Sequence, residues 1–360
     1  MIMGERARSI AAKLNRSKEL KATVGFDGYI DELVRVVQQG DSQSGYTYFP
    51  SISAFADRLQ EAAGKSADLE TVTTDIKLGG NAPIMSNALA CLGVDTTCIG
   101  AMGCPELREV FREMATRCHC ISLCEPAYTH ALEFGDGKVM MANCKPLENL
   151  NWKNLKAFMG LDAIVSLFDH CQLIAMVNWS GIVGAGDIWD GISREVLPLL
   201  QNQYRFFFDL CDPSKKSRED ILSVLEKIQK FKAYGSVVLG MNENEALRVA
   251  GAMGASITVA EEAGKVIYSA LPIDAVVVHP IDRCIAVTEN GTVVQPGRVV
   301  ENPRISTGGG DNFNAGFCLG QMLELDIADS MLLGIAVSGC YVQNGSSPDR
   351  KQIIDYLDSF

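Results

Sequence analysis

A series of short runs in this chain is apolar almost from end to end: Lys21 to Phe26, Asp162 to Phe168, Leu173 to Trp179, Arg205 to Leu210, Gly235 to Met241 and Asp274 to His279. A strand with one wet face alternates apolar and polar residues. A run with no polar face fits a parallel strand covered on both sides. Amphipathic helical segments fall between these runs, among them Arg218 to Ala233 and Asn242 to Met253. Strand, helix, strand at this spacing predicts right-handed βαβ units and a parallel sheet. At 360 residues the chain suits one large α/β domain with a small appendage, or two domains.

Two regions break the rhythm. Gln38 to Leu59 reads as an inserted flap, and Ala127 to Asn143 alternates like a strand pair around Gly135-Asp136-Gly137, a hairpin signal. Together they are expected to form a small β lid, over roughly residues 38–60 and 120–143. Composition narrows the class further. A hydrophobic share of 47% with 21% charged residues is globular, and a net charge of −12 argues against a nucleic-acid or anionic-membrane surface. No stretch approaches the ~20 apolar residues of a membrane span, and the N-terminal residues lack the pattern of a signal peptide. Twelve cysteines without an export signal read as reduced thiols of a cytoplasmic protein.

In parallel sheets ligands sit beyond the carboxyl ends of the strands, so strand-to-helix junctions carry the chemistry. Thr307-Gly308-Gly309-Gly310-Asp311 precedes a helical run rich in small residues. Three glycines let the backbone come close to a ligand, and the helix behind them offers free N–H groups and its positive end to an anion. Asp311, in the first turn, would then take a proton from an attacking hydroxyl. A plain helix cap is the alternative, and this segment alone does not separate the two. Asn242 and Glu245 stand three apart after the apolar run ending at Met241, where an amide and a carboxylate suit indirect Mg²⁺ binding or a capping box. Gly79-Gly80-Asn81 opens a helix of small residues. Asp27 and Asp31 follow the first apolar run, where carboxylates suit the paired hydroxyls of a polyol or cap a helix.

These four motifs, in this order, resemble the PfkB carbohydrate kinase family, with its ribokinase-like fold, over roughly Lys21 to the C-terminus. Phe206 to Ser217, with Asp212-Pro213-Ser214, is similar to that family's Asp-Pro-Asn segment. The resemblance implies one domain over residues 1–360, a three-layer α/β/α sandwich with a mostly parallel central sheet and a small β lid. It implies ATP-dependent transfer of the γ-phosphoryl group to a hydroxyl of a sugar or sugar-like molecule. Asp311 would be the base, and Gly308, Gly309 and Gly310 would form the anion hole. Asn242 and Glu245 would organise Mg²⁺ through water, with Thr307, His279 and Gly345 beside the nucleotide. Asp27, Asp31, Gly79, Gly80 and Asn81 would hold the sugar, and two copies would pair through the lid. A nucleoside or vitamin-precursor alcohol as acceptor, or a non-catalytic binding protein, are the alternatives. The chain departs from the family pattern at Ile84, Ile305, His279-Pro280 and Cys104-Pro105.

Other signals carry less. Gly184-Ala185-Gly186-Asp187 spells the glycine motif again, but without a long helix of small residues behind it. It reads as inert in phosphoryl transfer, with Asn178, Trp179 and Asp187 near the ligand-bearing edge. Cys118, His119, Cys120 and Cys124 lack a second distant pair and read as thiols of a lid strand rather than a zinc site. His130 and His170 have no nucleophile at a recognisable spacing.

Overall fold

Five of the six apolar runs become strands, and with the lid strands they form two sheets in the computed structural model, which describes residues 2–16, 19–305 and 307–358. Ser306, inside the glycine motif, lies outside the described residues. In chain order the strands are β1 (Lys21–Gly25), β2 (Tyr29–Asp41), β3 (Gly45–Tyr48), β4 (Thr71–Gly79) and β5 (Asp95–Gly100). Then come β6 (His119–Ser122), β7 (Ala127–Phe134), β8 (Gly137–Asn143), β9 (Leu173–Met176) and β10 (Tyr204–Asp209). The last are β11 (Gly235–Met241), β12 (Ala275–Val278), β13 (Arg283–Thr288) and β14 (Gly291–Pro296).

The main sheet runs β14-β13-β12-β11-β10-β9-β1-β5-β6. It is parallel from β12 to β6, and β13 and β14 close one edge as an antiparallel pair. Its strands bury both faces, as their unbroken apolar runs require. Ile174, Met176, Phe206, Phe208, Leu239 and Met241 point into one core, whereas Leu173, Ala175, Phe207, Val238 and Val277 point into the other. Helices cover both faces, giving the three-layer α/β/α sandwich.

The helices are α1 (Ile2–Arg16), α2 (Ile52–Glu61), α3 (Asn81–Cys91), α4 (Glu109–Ala115), α5 (Trp152–Met159) and α6 (Leu161–Asp169). After them come α7 (Ala185–Gly191), α8 (Arg218–Gln229), α9 (Glu243–Ala252) and α10 (Ala260–Ala270). The chain ends with α11 (Gly309–Met322), α12 (Ile327–Asn344) and α13 (Arg350–Leu357). None of the described helices is long and apolar enough to cross a membrane.

Three expectations need correction. Asp162 to Phe168 is helical, within α6. Its buried residues Ile164 and Phe168 fall four apart on one helical face, a period that a seven-residue apolar run does not separate from a strand. The second sheet is wider than residues 38–60 and 120–143. It begins at Tyr29, pairs β2 with β4 on one side and β7 on the other, and carries β8 beyond β7. Within the flap, Ile52 to Glu61 is helix α2, which packs Phe55 against Val34, Val36 and Leu132. Lastly, Cys120 lies on β6, and that strand pairs with β5 as an edge of the main sheet rather than in the lid.

Helices α11 and α12 meet at Gly316, where a Cβ would stand 2.8 Å from the Leu333 carbonyl oxygen and 2.8 Å from Val337 Cγ2. One contact is backbone and cannot swing aside, so Gly316→Ala should lower unfolding stability by about 1–3 kcal/mol in urea titration.

Candidate active site

Helix α11 begins on a glycine turn whose shape is set from behind. Gly308 is left-handed, with φ of 88°, and a Cβ there would lie 2.8 Å from the Tyr341 hydroxyl oxygen and 3.3 Å from Ile84. Tyr341 Oη donates to the Thr307 carbonyl at 2.9 Å, which fixes the approach to the helix. Asp311 follows in the first turn. It is buried, and its Oδ1 has no hydrogen-bond partner among the described residues. Burial holds its proton affinity well above the ordinary carboxylate range; Asp209, Asp27 and Glu245 add to the rise, and a bond from the Asn81 side chain opposes it.

Asp27 stands at the carboxyl end of β1 and binds the first turn of α3. It accepts from the Asn81 N–H at 2.9 Å, the Ala82 N–H at 2.7 Å and Asn178 Nδ2 at 2.5 Å. Full burial lifts its pKa to about 6, and those donors pull the other way. Asp31 sits on β2 with its carboxylate against Gly79, where a Cβ would come within 2.3 Å of Oδ2; a Cβ on Gly80 would come within 3.0 Å of Asp27 Oδ2. The two glycines therefore make room for two carboxylates of the chain itself. Burial raises Asp31 as well, with Thr129, Lys77 and Lys138 opposing.

On the other side of Asp311, Asn242 and Glu245 form the capping box of α9. Asn242 Oδ1 accepts the Glu245 N–H at 2.9 Å, and Glu245 Oε2 accepts the Asn242 N–H at 2.8 Å. Glu245 is nonetheless buried, and burial followed by Asp209 pushes its pKa to about 8. Asp209, at the end of β10, accepts from Asn314 Nδ2 at 2.7 Å and from the Cys211 N–H at 2.7 Å, and burial raises it too. His279 leaves β12 with its ring 4.7 Å from that of Phe313, its Nε2 without a partner among the described residues and its pKa lowered to about 4 by burial. His279, Asn242, Gly309 and Gly310 line a cavity of about 430 Å³ whose far walls are Val299, Val300, Ile335 and Val342.

The structure thus gathers Asp27, Asp31, Gly79, Gly80, Asn81, Asn242, Glu245, His279, Thr307 and the glycines through Asp311 around one end of the main sheet. Gly345 is set apart from His279. It ends α12 on a second cavity, of about 560 Å³, shared with Ile84, Ile305 and Tyr341. Asp187 is elsewhere: it accepts the Trp152 N–H at 2.9 Å at the start of α5, so the repeated glycine motif has a structural task. Asn178 does reach the site, with φ of 56° that aims its amide at Asp27. Sequence reasoning missed Asp209 and Asn314. The available signal was a lone acid closing the apolar run Arg205 to Leu210.

The family model for prokaryotic ketohexokinase matches residues 5–360. The chain belongs to the prokaryotic ketohexokinase family. A ketohexokinase of Haloferax volcanii is 28% identical over 345 residues, covering 93% of this chain and 92% of that one. Among solved structures, Arabidopsis thaliana ribokinase complexed with ribose and ATP superposes with a TM-score of 0.67 at 13% identity, covering 95% of this chain and 99% of that one. A putative ribokinase II of E. coli in complex with ATP and Mg²⁺ gives 0.65 at 13% identity, covering 95% and 100%. This member of the family is a carbohydrate kinase with the ribokinase-like fold.

Two outcomes follow for groups in and beside the site. Asp187→Ala should cost about 0.5–1.5 kcal/mol of stability by removing the acceptor of the Trp152 N–H at the start of α5 while leaving kcat unchanged. Glu245 holds its proton up to about pH 8 when folded but only to the ordinary 4.5 when unfolded. The folded protein binds the extra proton across that window, so Glu245 makes stability fall as pH rises from 4.5 to 8. Urea titrations between pH 5 and 8 should show a shallower decline for Glu245→Gln.

Proposed function

We propose that this kinase transfers the γ-phosphoryl group of ATP to a hydroxyl of a ketohexose, with Asp311 as the base. The observation that carries the reading is the unpartnered, buried Asp311 Oδ1 in the first turn of α11, directly behind three glycines. The relative named a ketohexokinase supports the choice of acceptor. Asp311 takes the proton of the acceptor hydroxyl as that oxygen bonds to the γ-phosphorus. The bond from the bridging oxygen breaks and ADP leaves. The N–H groups of Gly308, Gly309 and Gly310 face the phosphoryl oxygens, and the positive end of α11 adds to their pull. In this reading the enzyme works mainly by position and charge.

The donor side fits both a nucleotide and a cation. The 430 Å³ cavity pairs apolar walls with the glycine backbone, which suits a nucleoside whose phosphates reach α11. Asp209 raises the proton affinity of buried Glu245, burial raises that of Asp209, and among the described residues no cationic side chain offsets either. That charge balance fits Mg²⁺, which would be held by Glu245 and Asn242 through water, with Asp209 near, and would neutralise phosphate charge. Asp27, through Asn81 and Ala82, and Asp31 would hold the sugar against the Gly79-Gly80 turn. Pairing of two copies through the second sheet belongs to the same reading: Ile76 and Met141, both exposed, share a face across the register Ile76, Glu32, His130, Met141.

Purified protein should release ADP from ATP and Mg²⁺ only when a ketohexose is present. Asp311→Asn should lower kcat about 10²- to 10⁴-fold with its fold intact by circular dichroism. Full turnover by that variant, or no turnover of any ketohexose by the wild type, defeats the assignment.

A further inference from the structure

Lys77 carries a charge that the fold leaves unpaired. It lies on β4 directly opposite Asp31 on β2, and residues opposite one another in an antiparallel pair project from the same face. Thr129, which faces Asp31 from β7, and the Glu133–Lys138 ion pair at 2.9 Å share that face. Lys138, of like charge, and the carboxylates of Asp75, Glu133 and Asp31 act on the Lys77 ammonium from a distance. Among the described residues, none forms an ion pair or hydrogen bond with it. Lys77 is half-buried and lines the 560 Å³ cavity with Ile84 and Tyr341, the two side chains that back Gly308.

The acceptor side is otherwise short of donors. Ionised Asp27 and Asp31 only accept hydrogen bonds. The Asn178 amide is engaged with Asp27, and the Asn81 side chain with Asp311. A sugar brings lone pairs on every hydroxyl, and a ketose adds a ring or carbonyl oxygen that can only accept. A pocket of carboxylates alone would leave those oxygens unpaired on closing.

We propose that Lys77 is a specificity-determining residue of this kinase, donating hydrogen bonds to oxygen lone pairs of the sugar while Asp31, opposite it, accepts from a hydroxyl of the same molecule. The inference rests on the reading of a ketohexose acceptor, and its test separates the two. Lys77→Met keeps the apolar stem and removes the donors; Lys77→Arg restores them in another shape. The KM for the ketohexose should rise about 10- to 100-fold in Lys77→Met, the loss of a hydrogen bond to a charged group. The ATP KM, kcat and Tm should stay near wild type, because a contact made equally in ground and transition states changes KM alone. Lys77→Arg should recover part of the loss. An unchanged sugar KM overturns the proposal, as does an ATP KM that rises in parallel or a fall in Tm, which would mark a structural lysine. If the wild type turns over no ketohexose, the acceptor reading fails; the same comparison with the sugar it does phosphorylate then decides Lys77 on its own.

Discussion

Four buried carboxylates meet at one end of the main sheet, and the arrangement around them follows from that repulsion. Asp27 and Asp209 close strands β1 and β10, Glu245 starts the helix after β11, and Asp311 opens α11. Taking one ionised acid out of water is costly, and neighbouring acids of like charge compound the cost. The fold meets most of it with fixed donors: three for Asp27, two for Asp209, and a capping box for Glu245. Asp311 is the least compensated of the four. Ionised once a bound cation offset its acidic neighbours, a carboxylate of such high proton affinity, at the positive end of a helix and beside a glycine turn, would be suited to take a proton from a substrate.

The same interactions tie the two sheets together. β1 continues through Asp27 into β2, so the buried acid that grips α3 stands at the root of the second sheet. β4 returns from that sheet straight into the Gly79-Gly80 turn, whose missing side chains admit Asp27 and Asp31. Main-sheet and lid residues thus converge on the start of α3. Displacing the second sheet would therefore disturb Asp31 and the first turn of α3 together.

Tyr341 and Asn314 do for α11 what Asp27 does for α3. Tyr341 fixes the Thr307 carbonyl, and Asn314, one turn beyond Asp311, locks onto Asp209. Both lie away from the reacting group and act through its placement. The helix end that carries Asp311, the proposed base, is thus pinned at two points, as phosphoryl transfer by positioning would require.

Much of this was legible in the sequence wherever the signal is local. Unbroken apolar runs specify strands buried on both faces, and a triple glycine ahead of small residues specifies a close approach to a helix end. An Asn and a Glu three apart specify a capping box. These depend on neighbours in the chain, so the residues themselves carry them. What failed depended on partners far away. The run Asp162 to Phe168 became a helix because Ile164 and Phe168, four apart, found one core face. Asp187, read as inert but near the ligand-bearing edge, is engaged by Trp152 instead, and the second sheet widened because β2 found β4 and β7. The Asp209–Asn314 bond joins residues more than a hundred positions apart, a pairing that no local pattern encodes. The sequence alone determined which strand-to-helix junctions bring glycines, amides and acids to the ends of the strands; only tertiary packing decided which acids face one another there, because burial and charge proximity are properties of the assembled ends of the sheet.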